Sequence, residues 1–71
     1  MSKYDWFEVW VDDTTEPPYL LILFSSANEM SFDIFNPQEN RFRYSTNSYH
    51  EAMFSLTEDE YIKVDGRITL E

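Results

Sequence analysis

Hydrophobic positions along the chain follow two rhythms, an alternating one over the first two thirds and a helical one near residue 50. Over residues 4–11, Phe7, Val9 and Val11 fall on one side of an extended strand and Trp6, Glu8 and Trp10 on the other, because strand side chains alternate. Residues 12–18, Asp-Asp-Thr-Thr-Glu-Pro-Pro, have turn composition and lead through a proline pair into the next strand. Tyr19-Leu20-Leu21-Ile22-Leu23-Phe24 is then a run of six apolar residues. It is far short of the ~20 needed to span a membrane. Turn formers on both sides favour a strand buried on both faces, in the middle of a sheet rather than at its edge. A polar connection over residues 25–29 leads to a third strand, in which Phe32 and Ile34 share one face while Ser31, Asp33 and Phe35 take the other. Asn36-Pro37-Gln38-Glu39-Asn40 is a further turn, and Arg41-Phe42-Arg43-Tyr44 alternates into a fourth strand with Phe42 and Tyr44 inward.

At Ser48 the period changes. Tyr49, Ala52, Met53 and Leu56 stand at i, i+3, i+4 and i+7 and mark one face of a helix. Ser48 and Glu51 have the spacing of a capping box. At about ten residues the helix depends on packing rather than propensity. Phe54 falls off the stripe, and residues 57–60 end the helix or start one more turn. Residues 61–64 read as a fifth strand. A loop of Val64, Asp65 and Gly66, with glycine in the left-handed position, would fold it back as a hairpin pairing Ile62 with Ile68. The terminal Leu70-Glu71 is consistent with a cloning remnant and carries no weight.

These elements predict an α+β fold in a single domain, residues 1–71: a mostly antiparallel meander sheet of four to five strands with one helix packed on one face, in the order β-β-β-β-α-β. The fifth strand is expected antiparallel beside the first, giving the order 5-1-2-3-4, with a right-handed parallel placement beside the fourth as the alternative. One face collects Phe7, Val9, Val11, Leu20, Ile22, Phe24, Phe32, Ile34, Phe42 and Tyr44 without a charge, and this is the face expected beneath the helix. The other gathers Trp6, Trp10, Tyr19, Leu21, Leu23 and Phe35, dotted with Glu8, Asp33, Arg41 and Arg43. One helix cannot cover both faces, and an open aromatic patch marks an interface. Trp6, Trp10, Tyr19, Phe35, Arg41 and Arg43 are the expected binding residues, of the types in which interface energy concentrates. Tight coiling of the sheet, or a tail over residues 57–71 folded across this face, would instead make the tryptophans core.

Composition narrows the function classes. A chain of 71 residues is near the lower size for a self-sufficient core, and its 18% aromatic content offsets that. It has no cysteine, hence neither a disulfide nor a thiolate metal site, which fits the cytoplasm. Residues 1–5 are polar and lack an apolar signal core, so export is not expected. The formal charge of −9 repels nucleic-acid phosphates and anionic lipid. It serves solubility, or else suits a basic partner or mimicry of a nucleic acid.

Candidate chemistry is thin. His50 is the one histidine, placed in the first helical turn, where an imidazolium is disfavoured, and no nucleophile adjoins it. Asp12, Asp13 and Glu16 lack calcium-loop spacing, and Glu58-Asp59-Glu60 reads as a solvated acidic turn. The single glycine excludes a phosphate-cradling loop. No nucleophile, base and orienting group can be assembled, so no enzyme, cofactor, metal site or small-molecule substrate is expected. Aromatics on a sheet face serve single-stranded nucleic-acid binders only beside a basic groove, which this acidic chain lacks. The string Val11-Asp12-Asp13-Thr14-Thr15-Glu16-Pro17-Pro18-Tyr19-Leu20-Leu21-Ile22-Leu23 resembles short uncharacterised bacterial proteins, a likeness that covers the first third of this chain. That resemblance implies a stand-alone small bacterial protein and carries over no functional residue. The expected function is a non-enzymatic interaction module that binds itself or another protein through an aromatic sheet face. The alternative is an acidic inhibitor occupying a basic site on its target.

Overall fold

The computed structural model describes residues 3–70. Two long strands, β1 (Tyr4–Asp12) and β2 (Tyr19–Ser26), are followed by a short 3-10 turn at Ala27–Glu29, then by β3 (Phe32–Asn36) and β4 (Arg41–Thr46). The helix α1 (Tyr49–Glu58) comes next, and two short segments close the chain, β5 (Ile62–Lys63) and β6 (Ile68–Thr69). All pairings are antiparallel, in the order β4-β3-β2-β1-β5, with β6 also on β1. The apolar run thus forms the middle strand, and the fold is α+β, with α1 the one α-helix among the described residues.

The C-terminal segment departs from the expected hairpin. β5 and β6 do not pair with each other; both lie along the outer edge of β1, with Val11 opposite Ile62 and Phe7 opposite Ile68. The Val64 N–H donates to Val9 O at 2.8 Å, and the Leu70 N–H to Asp5 O at 2.8 Å, so Leu70 belongs to the fold. Glu71 lies outside the described residues. Counted along the registers, this outer strand carries two residues more than β1 opposite it, and Gly66, at φ +93°, provides the left-handed turn within that bulge. A β5–β6 hairpin would have left the N-terminal half of β1's edge, around Trp6 and Phe7, unpaired.

The larger correction concerns which face the helix covers. Trp6, Trp10, Leu21, Leu23, Phe32 and Ile34 pack with Ala52 and Leu56 of α1 as the buried core, flanked by Tyr49, Met53 and Tyr61. The charge-free face formed by Phe7, Val9, Val11, Leu20, Ile22 and Phe24 lies on the opposite side. Register is the reason. Leu23 pairs with Ile34 and Ser25 with Phe32, so β3 offers its apolar pair to the Trp6/Trp10 side and turns Asp33 and Phe35 away. A one-residue slip in that pairing would exchange the faces. A bulge at Arg43 then separates Phe42, paired with Phe35, from Tyr44, paired with Ile34. These two side chains therefore face opposite ways, although simple alternation puts them together.

Helix α1 begins as its sequence predicts. Ser48 Oγ accepts from the Glu51 N–H at 3.2 Å, while the Glu51 carboxylate accepts from Thr46 Oγ1 at 2.8 Å instead of closing the reciprocal half of the box. The stripe of Tyr49, Ala52, Met53 and Leu56 meets the sheet, and Phe54 points to solvent.

Candidate functional site: an open apolar sheet face

The registers stack the uncovered face into three rungs. The first is Ile62, Val11 and Leu20; the second is Val9, Ile22, Phe35 and Phe42; the third is Ile68, Phe7, Phe24, Asp33 and Ser45. Strand pairing brings these side chains together from both ends of the sequence. Phe24 centres an aromatic cluster, with ring centroids 4.6 Å from Tyr4, 5.7 Å from Phe7, and 6.4 Å from both Phe35 and Phe42. Phe35 and Phe42 meet edge-on at 4.9 Å. Leu20, Phe42, Ile62 and Ile68 are exposed, Phe42 by 51%, and the remaining apolar members are half-buried only by one another. With strands ~4.8 Å apart and rungs ~7 Å apart, the twelve rung positions have a flat footprint of roughly 400 Å². Contiguous apolar patches of this size are often functional.

Among the described residues, Asp33 is the one charged side chain on these rungs. It accepts from Tyr4 OH at 3.1 Å and from Ser45 Oγ at 2.5 Å, which satisfies it at the polar end of the face. Burial, then the hydrogen bond and charge of Asp33, push the Tyr4 hydroxyl pKa up.

The helix side holds the opposite peculiarity, a carboxylate inside the core. Glu8 is 1% exposed between Trp6 and Trp10. It accepts from Trp10 Nε1 at 3.3 Å, from Tyr49 OH at 3.0 Å, and from Arg67 Nη2 at 2.9 Å and Nε at 3.2 Å. Lys63 Nζ stands 4.0 Å away. The Arg67 guanidinium lies 3.6 Å above the centre of the Trp6 ring, a stacking that favours a weakly hydrated planar cation. Burial works against the Arg67 charge, but the Glu8 carboxylate and Tyr49 hydroxyl outweigh it and raise its pKa further. At Tyr49 burial first, then Glu8, raises the hydroxyl pKa, with Arg67 opposing. This network fastens the C-terminal strand across the sheet edge. Trp10 Nε1, the Tyr49 hydroxyl and Arg67 Nε and Nη2 all converge on this one buried carboxylate, the arrangement of a structural ion pair.

The six residues expected to bind do not form one surface. Trp6 and Trp10 are core, 7% and 4% exposed, which corrects the reading of them as an open patch. Phe35 sits on the opposite, open face. Tyr19, Arg41 and Arg43 do gather, with Asn36, Glu39 and Tyr61, around a shallow depression on the helix side. Arg41 is already paired with Glu39 at 3.2 Å, and Arg43 acts on the Tyr61 hydroxyl, so this rim offers little free positive charge. His50 is exposed. The Asp12 carboxylate is engaged by Thr14, through N–H at 3.0 Å and through Oγ1, and these bonds lower its pKa. Sequence reasoning missed Arg67 and the open face, although the charge-free alternation of Phe7, Val9 and Val11 was a sign of the latter.

The fold and surface define a small α+β domain with one layer of helix and one bare apolar sheet face. No family model, no curated protein and no solved structure matches this chain.

Proposed function

We propose that this chain is a non-enzymatic protein-interaction module that binds through the open face of its sheet. The observation that carries the reading is the three-rung apolar surface with a single, internally satisfied charge. Removing such a surface from water is worth on the order of 25 cal/mol per Å², the driving force that offsets the entropy a partner loses on binding. The acidic side chains of residues 12–16 and 58–60 lie at the end of β1, in the β1–β2 loop and at the end of α1, off the rungs of the face. Among the described residues no helix is long and apolar enough to cross a membrane. A cytoplasmic setting goes with this reading through the cysteine-free composition, and a stand-alone bacterial protein through the resemblance of its first third.

The test places a photo-activatable phenylalanine analogue at position 42 on the face or at position 54 on the outer side of the helix. Both positions are exposed. The expected result is a discrete adduct from position 42 in cells and none from position 54. Equal labelling from both, or no adduct from either, would overturn the reading.

A further inference from the structure

We propose that the partner is a second copy of this chain, packed sheet face against sheet face about a two-fold axis that runs along β2. The inference rests on the interaction reading above and goes on to name the occupant. Its first support is chemical. The face carries Phe, Val, Ile and Leu with almost no polar handle, whereas transient interfaces are no more apolar than ordinary surface. Interfaces of homodimers and other permanent assemblies are the ones that resemble a core cut in half.

Its second support is geometric. β2 is the middle of the sheet, with two strand positions on either side. A two-fold axis between the sheets and parallel to β2 sets β4 of one copy over the outer strand of the other, and the reverse. Phe42 then lies over the outer strand, between the rungs of Ile62 and Ile68, and Phe35 lies over Val9 of β1, so large side chains face smaller ones. Two sheets packed this way lie about 10 Å apart with strands nearly aligned, the arrangement of a β-sandwich. The two footprints together cover roughly 800 Å², and rim residues supply the rest of the ~1,200 Å² at which standard interfaces begin.

Its third support is size. The buried core has eight apolar residues, a small number for an isolated sheet and helix. A second layer on the bare face supplies what the chain lacks.

Charge gives the test its sign. Each copy carries −9, so association opposes like charges at the rim and tightens severalfold as salt shortens the screening length from about 10 Å at 0.1 M to about 3 Å at 1 M. A basic partner would show the reverse. Light scattering over a dilution series, at low and high salt, should give twice the 8.6 kDa chain mass, with the dimer favoured by salt. Phe42→Glu places a carboxylate in each half of the interface and should weaken the dimer by on the order of 100-fold, while Phe54→Glu leaves it unchanged. Circular dichroism of both variants should match the parent, because both positions are solvent-facing in the single chain.

The absence of native cysteine makes trapping clean. Phe42→Cys mixed with Ile68→Cys should be joined 42–68 by a short bis-maleimide in preference to 42–42, since facing sheets ~10 Å apart are too distant for a direct disulfide. A monomer at every concentration and salt, or a dimer insensitive to Phe42→Glu, overturns the proposal, as does a dimer trapped mainly as 42–42. A monomer that still yields a position-42 adduct of some other mass overturns the second copy and leaves the interaction module standing. A monomer with no such adduct removes both.

Discussion

Removing the Arg67 side chain is the sharpest probe of how this fold tolerates a carboxylate in its core. Glu8 is 1% exposed, so Arg67→Ala leaves its charge with two neutral donors, Trp10 Nε1 and Tyr49 OH, and with Lys63 at 4.0 Å. Breaking a buried ion pair from one side typically costs about 3–5 kcal/mol. The Arg67 side chain is itself 42% exposed, so water can enter where it leaves. That brings the expected loss to roughly 2–3 kcal/mol, including about 1 kcal/mol of stacking on Trp6. Small domains hold on the order of 5 kcal/mol in total, so the variant should keep about half its stability. Urea unfolding followed by the fluorescence of the two buried tryptophans reads this directly. With a slope of about 1 kcal/mol per M, the midpoint falls by roughly 2–3 M. Protein concentration must be held fixed, because self-association adds to apparent stability.

The diagnostic is an asymmetry. Glu8→Leu leaves behind only a partly exposed guanidinium and should be much milder than Arg67→Ala. Glu8→Leu with Arg67→Met should come within about 1 kcal/mol of the parent, since an apolar pair can replace a buried ionic one. If Arg67→Ala costs less than about 0.5 kcal/mol, or if Glu8→Leu is the more damaging change, the guanidinium is not what admits Glu8 to the core.

Three further outcomes follow from the same structure. Trp10→Ala opens a cavity in the core and removes a donor to Glu8; at about 3–5 kcal/mol it should abolish cooperative unfolding and the near-UV circular dichroism of the fold, rather than merely weaken binding. Burial raises the hydroxyl pKa values of Tyr4, Tyr49 and Tyr61, further aided by Asp33 at Tyr4 and Glu8 at Tyr49, so the folded state keeps protons that the unfolded chain loses near pH 10. That contribution is intact below pH ~10 and is lost as pH rises through the folded values; denaturation midpoints from pH 8 to 11 should decline, and Tyr49→Phe should lessen the decline. Ser48→Ala deletes the side-chain acceptor of the Glu51 N–H at the start of α1 and should cost about 1 kcal/mol by urea titration.

Strand existence and order were legible because each rests on local pattern: alternation in β1, an unbroken apolar run in β2, turn composition between them, and a change of period at Ser48. The assignment of faces was not, and the reasons are countable. One register in the β2–β3 pairing decides whether Phe32 and Ile34 join Leu23 or Phe24, and the polar turn between those strands does not reveal it. One bulge at Arg43 turns Phe42 and Tyr44 to opposite sides. The fate of β5 and β6 as one bulged outer strand depends on Gly66 and on an edge of β1 that no local pattern describes.

A deeper obstacle was the rule that the charge-free face belongs beneath the helix. That rule treats Glu8 as a liability, yet a carboxylate flanked by two indoles is a site that needs a cation, and the cation lies 59 residues further along. Once Arg67 bridges the edge and stacks on Trp6, the charged face becomes the one able to close over itself within a single chain. The opposite face has no such internal partner. Its phenylalanines and branched residues can leave water only against another apolar layer, and the described residues supply none. Local alternation thus sorted β1 and β2 into their two faces, and the β2–β3 register together with one long-range ion pair sets which of them closes into the core and which is presented outward.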